Sequence, residues 1–132
     1  MGVEDYLLTS TISGVIAQRL VRTLCPHCRK PYDADLALLA RLNIDSSESV
    51  TLYAAGGCAS CGGTGFLGRS TIAEVLTMSD TLRHLVLSRA EATVIRKAAA
   101  DEGMLSMHAN GMRKVLVGLT TVEEVLRATR ST

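Results

Sequence analysis

Apolar residues recur at spacings of three and four through residues 9–24 (TSTISGVIAQRLVRTL), placing Ile12, Val15, Ile16, Leu20 and Leu24 on one stripe. The spacing predicts a helix. Thr9 or Ser10 is positioned to cap it, accepting from a first-turn N–H that the helix itself leaves unpaired. Arg19 and Arg22 fall off the stripe. A short amphipathic helix is expected over residues 34–44 (ADLALLARLNI), with Asp33 as its cap. Residues 49–57 (SVTLYAAGG) read as a strand entering a turn, and the glycines at 56, 57, 62, 63, 65 and 68 make 56–68 a tight loop. Residues 70–76 (STIAEVL) alternate and predict a second strand.

From there the period is helical. Ser79 is the expected cap of DTLRHLVL. Ser88 and Glu91 have capping-box spacing ahead of ATVIRKAAADE, which Gly103 ends. Met107, Met112, Val115 and Leu116 share one face of the next helix, which Gly118 stops. Thr121 and Glu124 form a second box at the head of VEEVLRAT. Methionines and leucines at this spacing are core residues rather than ligands, and His84 and His108 read as ordinary surface or boundary residues. The fold class expected is α+β, mostly helical.

Composition supports a packed core: 47% of the 132 residues are hydrophobic, enough for one domain or one domain with a small satellite. Charge narrows the partners. Fourteen Lys+Arg against 13 Asp+Glu, with 3% aromatics, gives no reason to expect nucleic acid or an anionic membrane surface. No apolar run approaches the roughly 20 residues of a transmembrane helix. The start MGVEDYLLTS has no basic stretch followed by an apolar one, so no secretory signal is expected. A reducing, cytoplasmic setting follows, where paired cysteines mean metal more often than disulfide.

All four cysteines lie in two CxxC pairs, Cys25–Cys28 in CPHCRKPY and Cys58–Cys61 in GCASCGGTGFLGR, with 29 residues between the pairs. Each CxxC presents two sulfurs from one tight turn, and two such turns complete a four-thiolate cage for Zn²⁺. Gly62, directly after Cys61, suits a turn that needs positive φ. The gap exceeds the usual 15–20 residues of zinc ribbons. Lengthening a loop from about 17 to 29 residues costs only roughly 0.5 kcal/mol, against about 10–16 kcal/mol for structural zinc binding, so its length is no objection. A disulfide or redox pair, or iron in the same ligands, is the alternative. His27 lies inside the first turn, but four thiolates already fill a zinc site. A closed Cys₄ site is structural and performs no hydrolysis. The chain contains no GxxxxGK[ST], HExxH or GxSxG, and it does not read as a complete enzyme.

AQRLVR, the two CxxC pairs, GGTGFLGR and the closing GLTTVEEVLR resemble the secretion ATPases of the GspE/PilB type, the hexameric motors of type II secretion and type IV pilus assembly. The resemblance spans nearly the whole chain. AQRLVRTLCP and the ATR ending look closer to the type II branch. It implies a C-terminal fragment of a RecA-like ATPase, lying after the P-loop, acidic motifs and histidine box, with Met1 an internal methionine or a cloning start. The implied division is 1–24 as the end of the ATPase core (a helix), 25–69 as a tetracysteine zinc subdomain and 70–132 as a C-terminal helical subdomain.

The resemblance carries Cys25, Cys28, Cys58 and Cys61 over as zinc ligands. It makes Arg19 and Arg22 candidates for nucleotide-proximal or structural roles. ATP and Mg²⁺ belong to the longer parent, and the fragment is not expected to hydrolyse ATP alone. Implied partners are other subunits of a homohexamer, the inner-membrane platform and cytoplasmic domains of the secretion system, with the protein cytoplasmic and peripheral at the inner membrane. Two other classes compete. CASCGGTG fits the CxxCxGxG repeat of DnaJ-type chaperones, as a zinc-dependent polypeptide-binding module, but occurs once. A nucleic-acid-binding zinc ribbon predicts strongly salt-dependent association, which the balanced charge disfavours.

Overall fold

Residues 14–24 form a strand, not the helix that the apolar spacing predicts. In the computed structural model, which describes Gly2 and residues 4–130, the N-terminal helix α1 is confined to Asp5–Thr11 and strand β1 runs from Gly14 to Leu24. Met1 lies outside the described residues. Adjacent Val15 and Ile16 are 50% and 68% exposed, so the expected stripe buries no common face there. The β-branched Val15, Ile16, Val21 and Thr23 favour extended backbone while Gly14 disfavours a helix interior, and that local preference overrides a period that fits either element.

The remaining elements are β2 (Lys30–Ala34), α2 (Leu36–Arg41), β3 (Val50–Ala54), a 3₁₀ turn at Ala59–Cys61, β4 (Phe66–Thr77), α3 (Asp80–Leu87), α4 (Ala92–Asp101), α5 (Met107–Leu116) and α6 (Val122–Thr129). The architecture is mixed α/β, with six α-helices among the described residues. The strand expected at 70–76 starts earlier, at Phe66, and so takes the end of the loop expected over 56–68. β1 pairs with β4, and β2 pairs with β3. None of these helices is long and apolar enough to cross a membrane.

The chain forms two compact units. One comprises the described residues as far as Ala17 together with Glu74–Ser106; the other comprises Gln18–Ala73 and the described residues from Met107 onward. In the first, Leu82 of α3 and Ala99 of α4 are buried, and Arg83 Nε donates to the Thr9 carbonyl at 2.9 Å. Ser79 caps α3 as expected, accepting from the Leu82 N–H at 3.2 Å. The Ser88–Glu91 box does not form. Ser88 donates back to the Leu85 carbonyl at 3.0 Å, and Glu91 occupies the N-cap of α4 without a side-chain bond. The serine is already committed to the end of the preceding helix.

In the second unit β2 and β3 run antiparallel, with Lys30 opposite Ala54 and Ala34 opposite Val50. α2 lies in the connection. Its cap is Asp35, which accepts from the Leu38 N–H at 2.8 Å, rather than Asp33. Asp33 is held in β2, where the Thr51 hydroxyl across the hairpin donates to its carboxylate at 3.4 Å. Val21, Leu39, Leu52, Ile72, Met112, Val115 and Val125 form the core. Met107, Met112 and Val115 of α5 are buried as expected, but Leu116 is turned outward. Thr121 caps α6 by accepting from the Glu124 N–H at 3.1 Å.

Candidate metal centre

The hairpin explains why 29 residues separate the cysteine pairs. Cys25 and Cys28 sit on the turn between β1 and β2, while Cys58 and Cys61 bracket the 3₁₀ turn after β3. The intervening chain leaves along β2, passes through α2 and returns along β3. Because Lys30 is paired with Ala54, departure and return lie side by side. Both CxxC turns therefore emerge at the same end of one ladder.

The four Sγ atoms all lie within 4.8 Å of one another. Cys25 and Cys58 are 3.8 Å apart, Cys28 and Cys61 3.7 Å, and Cys58 and Cys61 3.8 Å. All four thiols are free, and a disulfide bond would require about 2.05 Å. Cys25 and Cys61 are buried; Cys28 and Cys58 are half-buried. Gly62 adopts φ +69° at the end of the 3₁₀ turn, the conformation that its position after Cys61 predicts.

Backbone N–H groups are aimed at the sulfurs. Gly57 donates to Cys28 Sγ at 3.2 Å, and Cys58 and Gly65 donate to Cys61 Sγ at 3.4 and 3.1 Å. The Cys58 N–H, opposed by burial and assisted by Gly65, lowers the Cys61 thiol to about 6. At Cys28 the Gly57 N–H pulls the same way, but burial and the three neighbouring sulfurs prevail and raise it to about 11. Four sulfurs this close resist collective ionisation unless a cation offsets their charge. The donor set, its spacing and its oriented N–H groups suit a metal ion bound by four thiolates. His27 is exposed beside the cluster and belongs to no ligand group among the described residues.

The two arginines have different surroundings. Arg22 donates from its backbone N–H to Glu124 Oε1 at 2.8 Å and from Nε and Nη2 to the same carboxylate at 3.2 and 3.3 Å. Its guanidinium carbon stands 4.0 Å from the Phe66 ring centroid. Arg127 binds Glu124 as well, at 3.1 and 3.2 Å. Glu124 is 3% exposed; burial alone would raise its pKa, but the two arginines lower it to about 2. Sequence reading treats Glu124 only as half of a capping box. Its actual partner Arg22 is 102 positions away, and no local signal reveals the pairing. The Arg19 side chain is exposed, with no hydrogen-bond or ion-pair partner among the described residues. Arg22, Thr64, Phe66, Gly68 and Arg69 line a cleft of about 270 Å³; sequence reading did not single out Arg69.

Residues 1–127 match the family described as Type II/IV secretion system protein. The chain is 45% identical over 130 residues to the type II secretion system protein E of Pseudomonas aeruginosa, covering 98% of this chain and 26% of that protein. It is 40% identical to the type IV pilus assembly ATPase PilB of Thermus thermophilus, covering 98% of this chain and 15% of that protein. Identity to the type II secretion system ATPase E of Vibrio cholerae is also 40%, over 98% of this chain and 26% of that protein. The chain thus spans about a quarter or less of the length of these relatives.

Proposed function

We propose, from the premise that this chain belongs to the Type II/IV secretion system protein family, that it is the C-terminal zinc-binding region of a hexameric ATPase powering type II protein secretion. The sulfur spacing carries the metal reading. Zn–S bonds of about 2.3 Å at tetrahedral corners place neighbouring sulfurs about 3.8 Å apart, and three of the sulfur pairs stand at 3.7–3.8 Å. Bound there, Zn²⁺ supplies structural crosslinking rather than reaction chemistry, because four protein sulfurs leave it no open position.

Cys25, Cys28, Cys58 and Cys61 are the proposed ligands, within the functional division 1–24, 25–69 and 70–132. The lobe is proposed to pass ATP-driven subunit motion, generated with Mg²⁺ in the longer parent, to the inner-membrane platform of the secretion system. The parent is placed at the cytoplasmic side of that membrane. Arg22, bound to Glu124, serves at least to pin β1 to α6. Arg19, whose guanidinium is exposed and has no partner among the described residues, is the better candidate for contact with nucleotide or with a neighbouring subunit. The pilus-assembly reading retains support from PilB of Thermus thermophilus, at 40% identity over 98% of this chain.

Elemental analysis of the purified chain tests the metal reading: one zinc per chain is expected, and metal-free disulfide-linked protein overturns it. In the full-length parent, Cys58→Ser with Cys61→Ser is expected to abolish secretion and platform binding while leaving the P-loop intact. Unimpaired secretion and platform binding in that variant would rule out the coupling role.

A further inference from the structure

Gly118, in the turn between α5 and α6, adopts φ +78°, and a methyl group added there would lie 2.3 Å from Arg29 Nη1 and 2.9 Å from Tyr53 Cδ2. These two side chains form a cradle. The Arg29 guanidinium stands 4.0 Å from the Tyr53 ring centroid, and its Nη1 donates to the Gly118 carbonyl at 2.9 Å. A planar, permanently charged group can stack on a ring and donate in its own plane at once.

Both walls belong to the arms that carry the cysteines. Arg29 directly follows Cys28, and its N–H donates to the Cys25 carbonyl at 3.1 Å. Tyr53 lies on β3, the strand that leads to Cys58. Two further bonds hold the turn: the Leu24 N–H donates to the Leu119 carbonyl at 2.8 Å, and the Thr120 hydroxyl donates to the Arg22 carbonyl at 2.7 Å. Leu24 directly precedes Cys25. The turn is thus tethered to backbone bordering the cluster on every side from which these bonds arrive. It carries Val117, 74% exposed, at its tip.

We propose that closure of the cysteine cluster sets the order of the α5–α6 turn, with Arg29 as the positioning residue that couples the two. The proposal rests on the metal reading above. With the four sulfurs held together, the Cys25–Arg29 turn and the β3 arm keep the guanidinium over the ring and its N–H on Gly118. Once the arms separate, the cradle opens and the apolar tip at Val117 loses its single conformation.

Hydrogen exchange on the 132-residue chain tests this, with Zn²⁺ loaded and after chelation, the metal content being measured in each sample. Chelation is expected to accelerate exchange of the Leu24 amide and the amides of residues 117–121 by about tenfold or more. Arg29→Gln is expected to retain one zinc per chain yet show that fast exchange while loaded, and Arg29→Lys is expected not to restore protection. If Arg29→Gln fails to fold, Tyr53→Leu replaces it; it keeps the arginine, removes the ring and should show faster turn exchange at full metal load. A loaded Arg29→Gln or Tyr53→Leu chain with normal turn protection overturns the coupling alone. A chain that takes up no zinc overturns the metal reading, and this proposal with it.

Discussion

Glu124 carries two arginines on one buried carboxylate, and this residue has the most specific energetic consequence. Its pKa is lowered from 4.5 to about 2 in the folded chain. A group whose folded pKa is depressed gives its full stabilisation above the unfolded value and loses it as the pH falls toward the folded one. The shift corresponds to roughly 3 kcal/mol at neutral pH, present above about pH 4.5 and draining away toward pH 2. Glu124→Gln is therefore expected to cost about 2–3 kcal/mol at pH 7 and to flatten that part of the acid limb. Urea unfolding of both chains between pH 7 and pH 2 checks this, and parallel curves over that range would contradict it. The role was illegible in the sequence because capping boxes are local and the Arg22 pairing is not. The cysteines were legible for the opposite reason, since each CxxC turn is complete within four residues.

At the level of elements, α5 and α6 meet closely at Gly111, where an added methyl group would lie 2.5 Å from Val125 Cγ1. Alanine normally favours a helix interior over glycine by about 1 kcal/mol. Here the neighbour is a fully buried, β-branched residue with no room to give, and overpacking costs about 1–3 kcal/mol. Gly111→Ala is expected to lower stability by up to about 2 kcal/mol. Adding Val125→Ala should reduce the penalty attributable to Gly111→Ala, as a double-mutant cycle on thermal or urea unfolding would reveal. Helices α3 and α6, with serine and threonine caps that do accept the expected bonds, were readable from the chain. β1 was not, because spacings of three and four in GVIAQRLVRTL suit a helix stripe and a strand with two apolar faces alike. Ser88 misled because the same hydroxyl can close one helix or open the next.

Across the whole molecule, a metal ion held by the four cysteines would stabilise the second unit selectively, since all four sulfurs and the buried core cluster lie within Gln18–Ala73 and Met107 onward. Cys61→Ser, or chelation, is expected to destabilise that unit by several kcal/mol. Exchange within α3 and α4 should change far less, as mass spectrometry of peptides from the two units would measure. Uniform loss of protection would show instead that the units melt together. This division was hidden from linear reading. Each unit is assembled from separated stretches, and nothing in the chain near Ala17, Ala73 or Ser106 marks a boundary.

The excursion through β2, α2 and β3 has its two feet zipped together by the ladder and its far bend at the exposed Ser47 and Glu48. A short flexible graft just after Glu48 would lengthen only the distal end, leaving the pairing of Lys30 with Ala54 undisturbed. That bend is accordingly a practical place to attach a fluorophore or affinity handle for following the parent machine at work, without retuning the sulfurs at the opposite end.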